Sequence, residues 1–164
     1  MKICFMADAI SEHTQKWVNY FVGKGHEVHL ISSRLGEGYI EGVHLYHLTV
    51  PLPQKFWTAL RVVNVLTRII KARKLVKRIK PDIINAHYIT ADGFLGAISG
   101  FHPLILTAWG SDILLLSKQS LYWRSLGKYA LKRADMVTCD SETLRRGLVG
   151  LGVNPARILS LIHI

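Results

Sequence analysis

Short apolar runs recur along the chain, each cut off by a polar cluster or a glycine, and this alternation predicts strands and helices in turn. Residues 2–7 are almost unbroken apolar, the pattern of a strand buried on both faces of a parallel sheet. Trp17, Val18, Phe21 and Val22 then line one stripe of a helix that Gly23-Lys24-Gly25 ends. Residues 26–32 and 43–48 read as the second and third strands, joined by a glycine-containing loop. A long amphipathic helix is expected over 57–79, with Val62, Leu66, Ile69, Val76 and Ile79 inward and Pro81 as its stop. Strand four is expected at 82–86 and strand five at 104–108, with a short Gly- and Ala-rich helix between them. A helix over 122–133 leads to strand six at 136–139. Asp140-Ser141-Glu142 then caps a helix that Gly150 and Gly152 end, and a seventh strand begins at Arg157.

Strands alternating with helices define an α/β protein. The expectation is a Rossmann-like, doubly wound, mainly parallel sheet of about seven strands with helices on both faces. No internal repeat or linker divides residues 1–164, so one domain is expected. The chain stops inside the apolar run 158–164, where domain ends usually carry polar residues. Half of a larger arrangement is expected.

Charge changes the picture more than composition does. The net charge is +10, and no Asp or Glu falls between Glu41 and Asp82. Lys55, Arg61, Arg68, Lys71, Arg73, Lys74, Lys77, Arg78 and Lys80 all do. A one-sided basic segment suits an anionic partner, and the aromatics Phe56 and Trp57 beside it favour a membrane surface, docked through residues 51–80. The bland alternative is a solvated face whose Lys and Arg stems cover apolar surface. Nucleic acid is not expected, because no binding module accompanies the charge. Cys4 and Cys139 read as small buried hydrophobes in a reducing compartment. No signal peptide is visible, and Gly96, Gly100, His102, Pro103 and Gly110 break the uncharged run 93–111, so it reads as helix, turn, strand and loop rather than a membrane span. The expected location is the cytoplasm, peripheral on the inner membrane face.

Candidate chemistry sits where apolar runs end. In an open parallel sheet, ligands bind beyond the carboxyl ends of the strands. His87-Tyr88 follows strand four, and Trp109-Gly110-Ser111-Asp112 follows strand five. A purely structural account has Ser111 capping a helix, Trp109 packing and His87 bonding a carbonyl; two such clusters on adjacent strand ends favour function. In the first strand-to-helix loop, Ser11 or Asp8 caps the helix, or Asp8 and His13 face the crevice. Gly23-Lys24-Gly25 follows a helix, the wrong place for a dinucleotide fingerprint. The histidines look scattered, so no metal site is expected. Neither a Ser-His-Asp order nor a phosphate-cradling loop with lysine is present.

The segments MKICFMAD, GKGHEVHLIS, PDIINAHYITADGFLG, PLILTAWGSDI and ALKRADMVTCDSETLRRGL, in this order and spacing, resemble the amino-terminal domain of family 4 glycosyltransferases, retaining enzymes of the GT-B fold. The resemblance implies two Rossmann-like domains around a cleft, with acceptor held mainly by the amino-terminal one and nucleotide-sugar donor by the other. It implies acceptor contacts at His87, Tyr88 and Arg124, a donor-sugar loop at Trp109-Gly110-Ser111-Asp112 and a cleft edge at Ser141 and Glu142. Asp8 and His13 join as substrate contacts from the crevice reading, and Trp109 and Asp112 as catalytic candidates from their strand-end position. The implied partners are a nucleotide sugar, taken as substrate rather than cofactor, and a sugar or lipid-linked acceptor, in surface polysaccharide or glycolipid synthesis; no metal is implied. This chain departs from the pattern in three respects. Its first loop lacks the glycines many relatives carry, Trp109 stands where many have histidine, and the donor domain with its paired glutamates lies outside it. The chain alone is therefore expected to be inactive, with a non-catalytic docking module as the alternative.

Overall fold

The computed structural model describes residues 1–34, 40–48, 61–114 and 120–161, with only the backbone of Arg61. The strands are β1 (Lys2–Met6), β2 (Glu27–Ser32), β3 (Val43–His47), β4 (Ile83–His87), β5 (Leu104–Thr107), β6 (Met136–Cys139) and β7 (Ile158–Ser160). The helices are α1 (Glu12–Gly23), α2 (Arg61–Ile79), α3 (Gly93–Ser99), α4 (Ser111–Leu114), α5 (Leu121–Arg133) and α6 (Glu142–Gly150). A π-turn over Tyr88–Asp92 enters α3, and a 3-10 turn over Pro155–Arg157 precedes β7. Every strand pair is parallel, in the order β3-β2-β1-β4-β5-β6-β7. The doubly wound α/β class read from the sequence is the observed one.

Period-2 alternation sorts the central strands onto two cores. Ile3, Phe5, Val28 and Leu30 face α1, where Val18 is fully buried and Trp17, Phe21 and Val22 pack. Cys4, Met6, Ile31, Ile84 and Ala86 face the other way, against Ala72, Val76 and Ile79 of α2 and Leu95 and Ala97 of α3. Gly96 lets α3 lie close on the sheet: a Cβ there would stand 3.2 Å from the Ala86 Cβ and 3.0 Å from a Leu104 methyl.

The sequence places strand ends within a residue or so. His87 is the last residue of β4 rather than the first beyond it, and β5 ends at Thr107. The expected start of the basic helix at Trp57 and the last residues of the apolar run, 162–164, lie outside the described residues. One facial assignment is corrected. Val62 and Leu66 are 70% and 53% exposed rather than inward, whereas Ala72, Val76 and Ile79 are buried. The core stripe of α2 thus begins later, and its amino-terminal turns carry apolar residues into solvent.

Candidate functional site

The chain leaves β1 toward one face of the sheet and β4 toward the other, which opens a crevice outside their carboxyl ends. Three aromatic rings from separate elements meet there. His13, in the first turn of α1, stacks on Trp109 beyond β5, with ring centroids 4.3 Å apart and an interplanar angle of 30°. His87 meets the Trp109 ring edge-on at 5.3 Å. Behind it, Phe5 and Trp17 box in the imidazole at 5.8 and 5.7 Å.

His87 is 1% exposed, and its Nδ1 lies 3.5 Å from the Thr14 hydroxyl. Burial, reinforced by the nearby His13, pushes its pKa down to about 4, so the ring is neutral at physiological pH. Its Nε2 is buried without a hydrogen-bond partner among the described residues, and so is the Trp109 indole Nε1. Both atoms belong to rings that meet at the strand ends, and each keeps hydrogen-bonding capacity there.

Asp112 holds this wall in place. Its Oδ1 accepts from the Trp109 N–H at 3.1 Å and its Oδ2 from the Ile89 N–H at 2.9 Å. The carboxylate therefore ties the loop after β5 to the π-turn after β4. It is 3% exposed, and burial raises its pKa even though several backbone N–H groups pull the other way. With each oxygen accepting one backbone N–H, the carboxylate positions both loops at the crevice. Trp109 offers an aromatic face and one N–H donor at the crevice. Ser111, expected in the bland reading to cap the next helix, is the first residue of α4.

The remaining candidates divide. Tyr88 begins the π-turn in the left-handed region, φ 63°, with its side chain 39% exposed at the crevice end. Gly110, at φ 102°, turns the chain into α4. Asp8 forms an ion pair with Arg34 at 3.0 Å and accepts from the Ile10 N–H at 3.2 Å. Neither it nor Ser11 caps α1 through its side chain. Arg124, in the first turn of α5, has no ion-pair partner among the described residues. Ser141 caps α6 by accepting from the Leu144 N–H, and Glu142 pairs with Arg145 and Arg146. Both sit at the carboxyl end of β6 as expected, but their polar atoms serve the helix.

Sequence reasoning missed two groups. Asp92, at the end of the π-turn, is 5% exposed, and burial pushes its pKa up to about 6. Arg68 of α2 donates from Nη2 to the Ser33 carbonyl, which leaves its buried Nε unpartnered among the described residues. An acidic residue six positions after an apolar strand interior was the available signal for Asp92. For Arg68 there was none, since it is one cation among many on α2.

The histidines are less scattered than they look. Glu27, His29 and His44 bring ligand-capable atoms within 4.8 Å of one another, because β2 and β3 pair His29 with His44. This group lies at the amino-terminal ends of the strands, away from the crevice. Glu27 already accepts from His29 at 2.9 Å and pairs with Lys2 at 3.3 Å. The cysteines are buried, and desolvation pushes the Cys4 thiol up to about 12 and raises Cys139 as well; neither supplies a thiolate at neutral pH.

A doubly wound parallel sheet with aromatic and polar groups at its switch point defines a class broader than one enzyme family. The chain belongs to the glycosyl transferase 4-like family, whose profile matches residues 2–141. No curated protein matches it. Among solved structures, it is similar to Alr3699/HepE from Anabaena, determined in complex with UDP-glucose (16% identity, TM-score 0.67, 98% of this chain and 43% of that one). It is also similar to sucrose-phosphate synthase from Thermosynechococcus elongatus (11%, 0.69, 96% and 47%) and to UDP-GlcNAc 2-epimerase from Methanocaldococcus jannaschii (10%, 0.65, 98% and 45%). At these identities the likeness shows the fold, and the chain spans less than half the length of each. Among the described residues, no helix is long and apolar enough to cross a membrane.

Proposed function

We propose that this chain is the acceptor-binding half of a nucleotide-sugar-dependent, retaining glycosyltransferase that works on a surface polysaccharide or glycolipid acceptor. Family membership supports the transferase class, and the solved relatives in complex with UDP or UDP-glucose support a nucleotide-sugar donor. The observation that carries the reading for this chain is the His13–Trp109–His87 wall, with its two unanswered polar atoms at the switch point.

Chemically, such a domain holds an acceptor hydroxyl against the donor's anomeric carbon and keeps water out. Positioning and electrostatics do this work without a metal or a covalent partner from this half. A neutral imidazole at His87 can donate or accept one hydrogen bond to a sugar hydroxyl without bringing a charge into the cleft. Tyr88 and Arg124 stand at the rim, where Arg124 would meet an anionic group on the acceptor. Asp8, Gly110, Ser111, Ser141 and Glu142 complete the edge. The donor pocket belongs to a second domain, in cis or on a separate chain, and the present chain is expected to transfer no sugar by itself.

A lipid-linked acceptor is favoured by the placement of α2. This helix leads into the start of β4, so its own start lies at the crevice end of the sheet. There Val62, Val63, Leu66 and Ile70 are exposed, while Lys71, Arg73, Lys74, Lys77 and Arg78 fill the rest of its surface. The reading places the protein in the cytoplasm, peripheral on an anionic membrane. Sugar transfer from a nucleotide-sugar donor is measured for this chain joined to a donor-binding domain. Activity that falls in Tyr88→Phe or Trp109→Ala with folding intact supports the site, and unchanged activity in both removes it. Robust transfer by the chain alone overturns the division of labour.

A further inference from the structure

Beyond the π-turn from the crevice lies a cavity of about 120 Å³ between the turn, α2 and α5. That is room for about four waters at ~30 Å³ each, enough for part of a pyranose ring whose remainder stays in solvent. Its wall combines chemistries that the core has no use for. Asp92 and Thr90 come from the π-turn, Arg68 from α2, and Tyr122 and Trp123 from the first turn of α5. The two aromatic rings meet edge-to-face, 5.3 Å apart at 71°, and both remain exposed, Tyr122 at 52% and Trp123 at 38%.

We propose that this pocket is a carbohydrate subsite, in which a neutral pyranose ring stacks on Trp123 and exchanges hydrogen bonds with Arg68 Nε and the Asp92 carboxyl. The inference rests on the acceptor-binding reading and deepens it, since it assigns a second sugar position beyond the crevice.

The polar atoms select the ligand class. Arg68 Nε is buried and has no partner among the described residues, so a purely apolar guest would leave it unanswered, at a cost of about 1–3 kcal/mol. An anion is disfavoured because the Asp92 carboxyl lies in the same wall and the other end of the guanidinium is spent on the Ser33 carbonyl. A sugar hydroxyl both accepts and donates, so vicinal hydroxyls answer a guanidinium N–H and a carboxyl together. The flat, half-apolar face of a pyranose suits an aromatic ring with a solvent-facing edge. Location agrees as well. Tyr88 opens the π-turn at the crevice and Asp92 closes it in the pocket, so a ligand of linked rings would reach both across one short turn.

The test is heteronuclear NMR on the intact chain, with methyl glucoside, galactoside, mannoside and N-acetylglucosaminide as probes. At least one is expected to shift the Trp123 indole N–H and leave that of Trp109 in place. Trp123→Ala and Arg68→Met should each weaken that binding about tenfold or more, as the loss of one stacked ring or one buried donor predicts. Trp123 is partly exposed, so its substitution leaves a folded reference. The subsite is overturned if none of these glycosides binds. It is equally overturned if the bound one shifts Trp109 alone, an outcome that leaves the glycosyltransferase reading intact. Absence of sugar transfer by the two-domain protein, with the Trp123 shift preserved, would strike that reading and spare the subsite.

Discussion

At the scale of single residues, the site carries two buried titratable groups whose shifts oppose each other. His87 is held neutral, so its pKa falls from 6.5 to about 4. An unfolded chain takes up that proton first, and stability declines as pH drops from 6.5 toward 4, by about 3 kcal/mol in full. Asp92 works the other way. Its carboxyl rises from 3.8 to about 6, the fold takes up the proton first, and acidification over the same window stabilises it. Wild type should therefore lose little stability to these two groups between pH 7 and pH 5. Asp92→Asn removes the compensating member and should lose about 1 kcal/mol more than wild type over that interval in urea titrations. An unchanged pH slope would show that Asp92 is already ionised in the fold. Asp112 tests differently, because its carboxylate answers two backbone N–H groups. Asp112→Ala orphans both and should cost about 3 kcal/mol by thermal or urea unfolding. A loss of activity without that destabilisation would assign Asp112 to direct chemistry.

At the scale of elements, the strands and most helices were legible because local pattern and burial agree. β1 reads as an unbroken apolar run because both its faces are covered, and α6 because Ser141 stands at a cap position that the structure uses. The π-turn was not legible. Its five residues show no period, and its shape depends on Gly93, where a Cβ would stand 2.6 Å from the Tyr88 carbonyl oxygen. Gly93→Ala is therefore expected to cost about 1–3 kcal/mol, because backbone rather than a flexible side chain must move. Gly150→Ala, with nothing within 4 Å of its Cβ, should be neutral or stabilising by up to about 1 kcal/mol. Equal effects from the two would refute the close contact at the turn. The facing of α2 was misread for a related reason: period alone cannot say where along a helix the core stops. The candidate site was legible as strand-end clusters, in His87 and Trp109. It was opaque wherever the decisive fact was a partner far along the chain, as with Arg68 and Ser33 or Asp112 and Ile89.

At the scale of the whole molecule, the uneven charge acquires a direction. α2 runs antiparallel to the strands, so its exposed apolar turns lie at the crevice end and its cations Lys74, Lys77 and Arg78 toward the opposite end. A surface that is greasy near the site and basic behind it suits a bilayer that presents a lipid-linked acceptor to the crevice. Each Lys or Arg near an anionic surface contributes about 1 kcal/mol at low ionic strength. Several together are enough for measurable binding without a lipid anchor. The chain is therefore expected to float with vesicles of phosphatidylglycerol and phosphatidylcholine, and not with phosphatidylcholine alone. Molar salt should release it, because screening shortens the reach of those charges to about 3 Å. Substituting Leu66 and Ile70 by Glu should weaken flotation without unfolding the protein, since both side chains already face solvent. If flotation is indifferent to lipid charge, the basic face is only a solvated cover for the sheet. If it depends on charge but survives those two substitutions, the cations bind the surface while α2 stays clear of it, and the acceptor's lipid must approach the crevice by another side.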